Sequence, residues 1–141
     1  MPWSVEATRV VRRATSVAAA TKARVAQPIH LLLALAEGAD AVGEALSKNG
    51  SIDAPSAGPA DSLRLPQVEG AAEHFALEQG QSVLPAHLLV ALLDQGDADV
   101  RQALVTNDLD LGSLRRTALR AIGAPEDLPP LVMPDLRWGP L

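Results

Sequence analysis

PIHLLLAL at residues 28–35 and PAHLLVAL at residues 85–92 are one phrase written twice. Six of the eight positions are identical, namely Pro28/Pro85, His30/His87, Leu31/Leu88, Leu32/Leu89, Ala34/Ala91 and Leu35/Leu92, and the second copy follows the first at an offset of 57 residues. In each copy a proline stands where a helix opens, since its missing N–H costs nothing there. The residues after it are apolar on nearly every side, the pattern of a helix enclosed by neighbours. The likeness continues: EGADAVGEALSKNGSID follows the first copy and DQGDADVRQALVTNDLD the second, one residue longer before its Ala-Leu pair. A spacing this long exceeds a solenoid unit and fits a tandem pair within one domain.

Working outward, Ser4 is a good N-cap for a first helix, with Glu6 in its first turn where a negative charge meets the positive end of the dipole. Ala7, Val10, Val11, Ala14, Val17, Ala18 and Thr21 recur at helical spacing and give that helix one apolar stripe. Gly38 is expected to stop the second helix, and Asp40 to cap a short third one carrying Val42, Ala45 and Leu46, ended by Asn49-Gly50. Residues 51–65, SIDAPSAGPADSLRL, read as a linker. The second copy then restarts. Pro66 is expected to open a helix through Ala72, Phe75, Ala76 and Leu77 to Gly80, and Pro85 the buried central helix through Leu93. Asp97 caps a helix with Val100, Ala103 and Leu104. Asp110 caps a last one with Leu111, Leu114, Ala118, Ala121 and Ile122 on one face and Gly123 as its stop. The linker begins where the first copy's counterpart of this last helix would stand, so seven helices are predicted rather than eight. The fold class is all-α, a tandem pseudo-twofold repeat of short helical bundles over residues 1–123, with repeats at 3–53 and 62–123.

The tail at 124–141, APEDLPPLVMPDLRWGPL, holds five prolines and cannot be a regular helix. It also carries Leu128, Leu131, Val132, Met133, Leu136 and Trp138, and a disordered segment is seldom so apolar. Packing of an extended tail on its own domain is expected, with docking on another protein as the alternative.

Composition agrees with helices. Of the 141 residues 48% are hydrophobic, mostly Ala, Leu and Val, and Trp3, Phe75 and Trp138 are the large aromatics. There is no cysteine, hence neither a disulfide framework nor a thiolate metal site. No apolar run reaches the roughly 18 residues of a membrane span, and no secretory signal is visible at the amino terminus, so a cytoplasmic location is expected and no membrane partner. The net charge of −5 argues against nucleic acid. Arg9, Arg12, Arg13, Lys22 and Arg24 nevertheless make the first helix basic, while Asp94, Asp97, Asp99, Asp108 and Asp110 make a later stretch acidic; these read first as solvated faces of opposite sign.

The repeated unit, an amphipathic helix followed by xxHLLLALL, an acidic-glycine turn and a helix ending in Ala-Leu, resembles the Clp amino-terminal repeat. That repeat occurs as a tandem pair at the front of the AAA+ unfoldases ClpA, ClpB and ClpC, and the likeness runs from about Trp3 to Gly123. It implies two four-helix repeats with pseudo-twofold symmetry and a docking station for substrates and adaptors. These residues contain no G-x-x-x-x-G-K-[ST] phosphate loop, so the resemblance extends to the docking module and not to the ATPase motor. Related ClpC domains read TEHLLLGLL, with the Glu before the His pairing with the guanidinium of phosphoarginine. Here those positions are Ile29 and Ala86, which cannot balance a cation, so that recognition is predicted to be lost. Trp3-Ser4 stands where the family has Phe-Thr, and the second copy offers Asp61-Ser62. The family's groove between the first helices of the two repeats places the candidate binding residues at Trp3, Ser4, Thr8, Val11, Glu69, Glu73 and Leu77. Glu69 and Glu73 fall where ClpC carries apolar residues, which implies a changed ligand preference.

His30 and His87 sit identically in their repeats, but with three histidines, no cysteine and no acidic neighbour they read as ring groups fastening the helix starts, not as metal ligands. His74 reads as surface or groove lining. No serine has a G-x-S-x-G setting. Catalysis, metal and cofactor are therefore not expected. The expected function is a protein- or peptide-binding adaptor, regulator or competitor in a Clp-type protease system. The alternatives are a protein that sequesters a peptide-like antibiotic or toxin in the inter-repeat groove, and a regulator using the basic first helix on an anionic partner.

Overall fold

The computed structural model describes residues 3–23, 25–38, 40–50, 52 and 64–131. Seven helices follow in chain order: α1 (Val5–Ala20), α2 (Pro28–Ala36), α3 (Ala41–Leu46), α4 (Arg64–Glu78), α5 (Pro85–Gln95), α6 (Ala98–Thr106) and α7 (Leu111–Ala121). No strand occurs among the described residues, and the one extended feature is an isolated parallel bridge between Trp3 and Val83. Among the described residues the all-α reading with seven helices holds.

The caps are where the side chains place them. Ser4 accepts the Ala7 N–H, Asp40 that of Gly43, Asp97 that of Val100 and Asp110 that of Ser113, each satisfying a backbone donor that the helix start leaves open. The two central helices open on Pro28 and Pro85, and both are enclosed: every residue from Pro85 to Leu93 is buried. α1 covers α2 and α4 covers α5, while the central helices touch each other. The repeats are then interlocked, because α3 of the first packs on α7 of the second and α6 of the second on α2 of the first. Asn49 reinforces that seam by donating to the carbonyls of Asn107 and Asp108 at 3.1 and 3.2 Å.

Three local expectations need correction. α4 starts at Arg64, inside the stretch read as linker, and Pro66 is its third residue rather than its opener. The first turn has no intrahelical partner for its N–H groups, so proline is tolerated there. Gly38 does not end α2 through a left-handed turn: the helix stops at Glu37 in ordinary right-handed geometry, whereas Gly96 does so with φ of 73° in the second repeat. Asn49-Gly50 lies beyond the end of α3, whose C-cap is Ser47. Gly38 is used differently. A Cβ on Gly43 would fall 2.6 Å from the carbonyl carbon of Gly38 and closer still to its oxygen. Gly43 is thus required by the close approach of α3 to the backbone at the end of α2. Gly43→Ala is expected to cost about 1–3 kcal/mol by overpacking, seen as a lower urea midpoint with an unchanged slope.

The tail packs on its own domain as far as it is described. Ala124 is buried, Leu128 and Leu131 are half-buried against the core, and the Leu128 N–H closes a turn on the Pro125 carbonyl. It runs along the flank of α4 formed by Ala71, His74, Phe75 and Glu78. Its clip is an ion pair that is almost wholly buried, with side chains 13% and 5% exposed: Arg115 Nε and Nη2 donate to Asp94 Oδ1 and Oδ2 at 2.8 and 3.0 Å. The same arginine donates to the carbonyls of Leu128 (2.6 Å) and Pro129 (3.1 Å), and the Leu131 N–H donates to Asp94 Oδ2 at 2.9 Å. Trp138, Arg24, Asp61-Ser62 and the linker residues 53–63 lie outside the described residues.

Candidate functional site

Trp3 and Ser4 precede α1, and the backbone there is stitched to the segment that precedes α5, with the Ser4 N–H donating to the Val83 carbonyl at 3.0 Å. This fixes the start of the first repeat against the second. The Trp3 indole N–H then reaches α4 and donates to Glu73 Oε1 at 2.6 Å, a contact between residues 70 apart in sequence. Trp3, Ser4, Val5, Thr8, Arg9, Arg12 and Ser82 line a cleft of about 620 Å³. Thr8 turns its hydroxyl inward to the Ser4 carbonyl, which leaves Arg9 and Arg12 as the charged wall.

Of the residues named from sequence, Trp3, Ser4 and Thr8 therefore meet in one cleft, and Glu73 joins them through the indole. Glu69 lies one turn back on α4, half-buried, and its carboxyl is pushed up from the usual range by burial and then by repulsion from Glu73. Val11 packs against the core and does not line this cleft. Leu77 stands exposed one turn beyond Glu73. Arg9, Arg12 and Ser82 were not singled out as cleft residues, although the basic sign of α1 was the signal that could have found the two arginines.

A second cleft, about 650 Å³, opens on the other side of α1. Val10, Ala34 and Pro85 give it an apolar floor, and Glu6, Arg9, Arg13, Glu37 and Asp40 are charged residues on its lining. Arg13 Nε and Nη2 grip Glu37 Oε2 and Oε1 at 2.7 and 2.8 Å, and both side chains are about half exposed. Sequence reading missed this cleft because its two sides lie on different helices joined by no motif.

His30 and His87 are structural. The Gln27 N–H donates to His30 Nδ1 at 2.8 Å, and the Leu84 N–H to His87 Nδ1 at 2.9 Å, so each ring satisfies the open donor at the helix start. An accepting Nδ1 places the proton of a neutral ring on Nε2. His87 accordingly donates from Nε2 to Gln79 Oε1 at 2.8 Å, while its ring meets Phe75 edge to face at 5.3 Å. Burial lowers the pKa of His30 and brings that of His87 down to about 4. His74 is on the surface beside Glu78. Ile29 and Ala86 are both buried in the core. No group of three or more His, Asp or Glu that could hold a metal occurs among the described residues. No described helix is long and apolar enough to cross a membrane.

No family model and no curated protein matches the chain. Among solved structures, the N-terminal domain of the caseinolytic-protease-associated chaperone ClpD from Arabidopsis thaliana is similar, at 18% identity with a TM-score of 0.68. The match covers 87% of this chain and 96% of that one. The fold is therefore that of a Clp amino-terminal domain, as the doubled phrase implies.

Proposed function

We propose that this chain is a non-catalytic protein- and peptide-binding module acting in a Clp-type protease system, as an adaptor, a regulator or a competitor for the unfoldase's own docking domain. The observation that carries this reading is the fold, which over 87% of the chain is that of the N-terminal domain of a protease-associated chaperone. The two clefts flanking α1 supply concave surface with apolar floor and charged lining, while His30 and His87 are consumed in holding helix starts. The residues that would pair with a phosphoarginine guanidinium are replaced by the buried, apolar Ile29 and Ala86, so phosphorylated arginine is not the expected ligand. Pull-down with the cognate unfoldase and protease tests the reading. Association and a changed rate of substrate degradation are expected; no association and no effect on the rate would overturn it. Calorimetry with free phosphoarginine is expected to show no binding.

A second reading, capture of a peptide-like antibiotic or toxin, is favoured by one feature: Trp3 lines the smaller cleft with its indole tied to Glu73 across the repeats. A ligand entering there would disturb that hydrogen bond and shift the Trp3 fluorescence.

A further inference from the structure

The chain already holds a proline-containing apolar segment, and among the described residues the side chains that hydrogen-bond its backbone belong to the second repeat. Leu128-Pro129-Pro130-Leu131 is read through its backbone by one bidentate ion pair: Arg115 takes two carbonyls and Asp94 takes one N–H. The offset of 57 that relates the central helices puts Glu37 of the first repeat at the place of Asp94. Glu37 is also held by an arginine, now Arg13 from α1, through the same two donors, Nε and Nη2. In the second repeat Nη1 of the arginine is the atom that grips the Leu128 carbonyl. On Arg13 that atom has no acceptor among the described residues, and the pair is about half exposed beside the 650 Å³ cleft floored by Val10, Ala34 and Pro85.

We propose that the cleft between α1 and the end of α2 binds, in trans, an extended leucine- and proline-containing segment of a partner protein. Arg13 donates to the segment's carbonyls and Glu37 accepts its N–H, as Arg115 and Asp94 do for the chain's own tail. Proline suits such a groove because it holds the strand extended before binding and so reduces the entropy lost. The leucines fill the apolar floor, and the fork reads backbone that proline leaves without a competing donor. The inference rests on the peptide-binding reading above and names the site and the chemistry of its ligand. The volume lies within the range of about 300–1,000 Å³ of clefts that hold small ligands, enough for a few side chains.

The test uses the full chain and a fluorescent peptide APEDLPPL, the sequence of residues 124–131, followed by anisotropy. Saturable binding is expected, at least tenfold weaker in Arg13→Gln and in Val10→Asp and unchanged in Arg12→Gln. Because the Arg13 pair is exposed, Arg13→Gln is expected to fold normally. No saturable binding would overturn the inference. So would binding that ignores Arg13→Gln and is lost in Arg115→Gln, since the peptide would then merely be displacing the tail. Sedimentation velocity adds a third result: a dimer that Arg13→Gln abolishes would make the occupant a second copy and overturn the assignment to a partner. Failure of the peptide with continued association with the unfoldase would sink this site and leave the wider reading standing.

Discussion

Asp94→Ala is expected to destabilise the protein by about 3–5 kcal/mol, the cost of stranding a buried charge when its partner is removed. Arg115 would lose two of its four hydrogen bonds and keep its charge in a place 13% exposed, and the Leu131 N–H would lose its acceptor. Urea unfolding should show the midpoint falling steeply. Replacing both partners, Asp94→Leu with Arg115→Met, should recover much of the loss, because an apolar pair of similar volume leaves no uncompensated charge. The double variant separates charge from tail. If recovery were complete, the clip to Leu128 and Pro129 would contribute little. If it were partial, the remainder would measure the anchoring of the tail.

The second large effect is on acid stability. His87 is fully buried and neutral, with its folded pKa at about 4 against an ordinary 6.5. Above 6.5 the ring is neutral folded or unfolded and contributes no pH dependence. As pH falls from 6.5 towards 4 the unfolded chain takes up the proton and the folded one does not, so stability is lost, and below 4 this loss levels off. The total is about 3 kcal/mol, at 1.36 kcal/mol per pKa unit. His30, lowered by burial in the same direction, adds to it. Glu37 and Asp110, whose pKa values are lowered by hydrogen bonds from Arg13 and from Ser113, act at the acid end of the range. Unfolding free energies measured between pH 7 and 5 therefore report the histidines, opposed by Glu69, whose raised carboxyl gains its proton first in the folded state. His87→Gln should flatten that part of the profile; an unaltered slope would contradict the assignment.

How much of this was legible depended on whether a feature was local. Ser4, Asp40, Asp97 and Asp110 announced helix starts, and Pro28 and Pro85 opened the central helices, because a cap acts within three residues and needs no tertiary partner. The fold class followed from the doubled phrase. Pro66 was misread because a proline in the first turn and one at its opening look alike in sequence. Gly38 was misread because α2 stops in right-handed geometry without it, and the glycine that packing requires is Gly43, whose missing Cβ admits the Gly38 carbonyl. The candidate site was half visible. Trp3, Ser4 and Thr8 are near neighbours in sequence and met as expected, whereas Val11 and Leu77 share the right helices but face the core and open solvent. The tail clip was not legible at all. Asp94 and Arg115 are 21 residues apart, and Arg115 sits on the one helix with no counterpart among the described residues of the first repeat to draw attention to it.

The crossed seam, α3 on α7 and α6 on α2, bears on how such a molecule can come apart. Each half completes the interior of the other, so neither is a finished globule, and an isolated half would expose leucine that only its sibling can cover. Force, heat or a translocating machine should meet one yielding point rather than two, and a pull on either terminus would be felt by both halves at once.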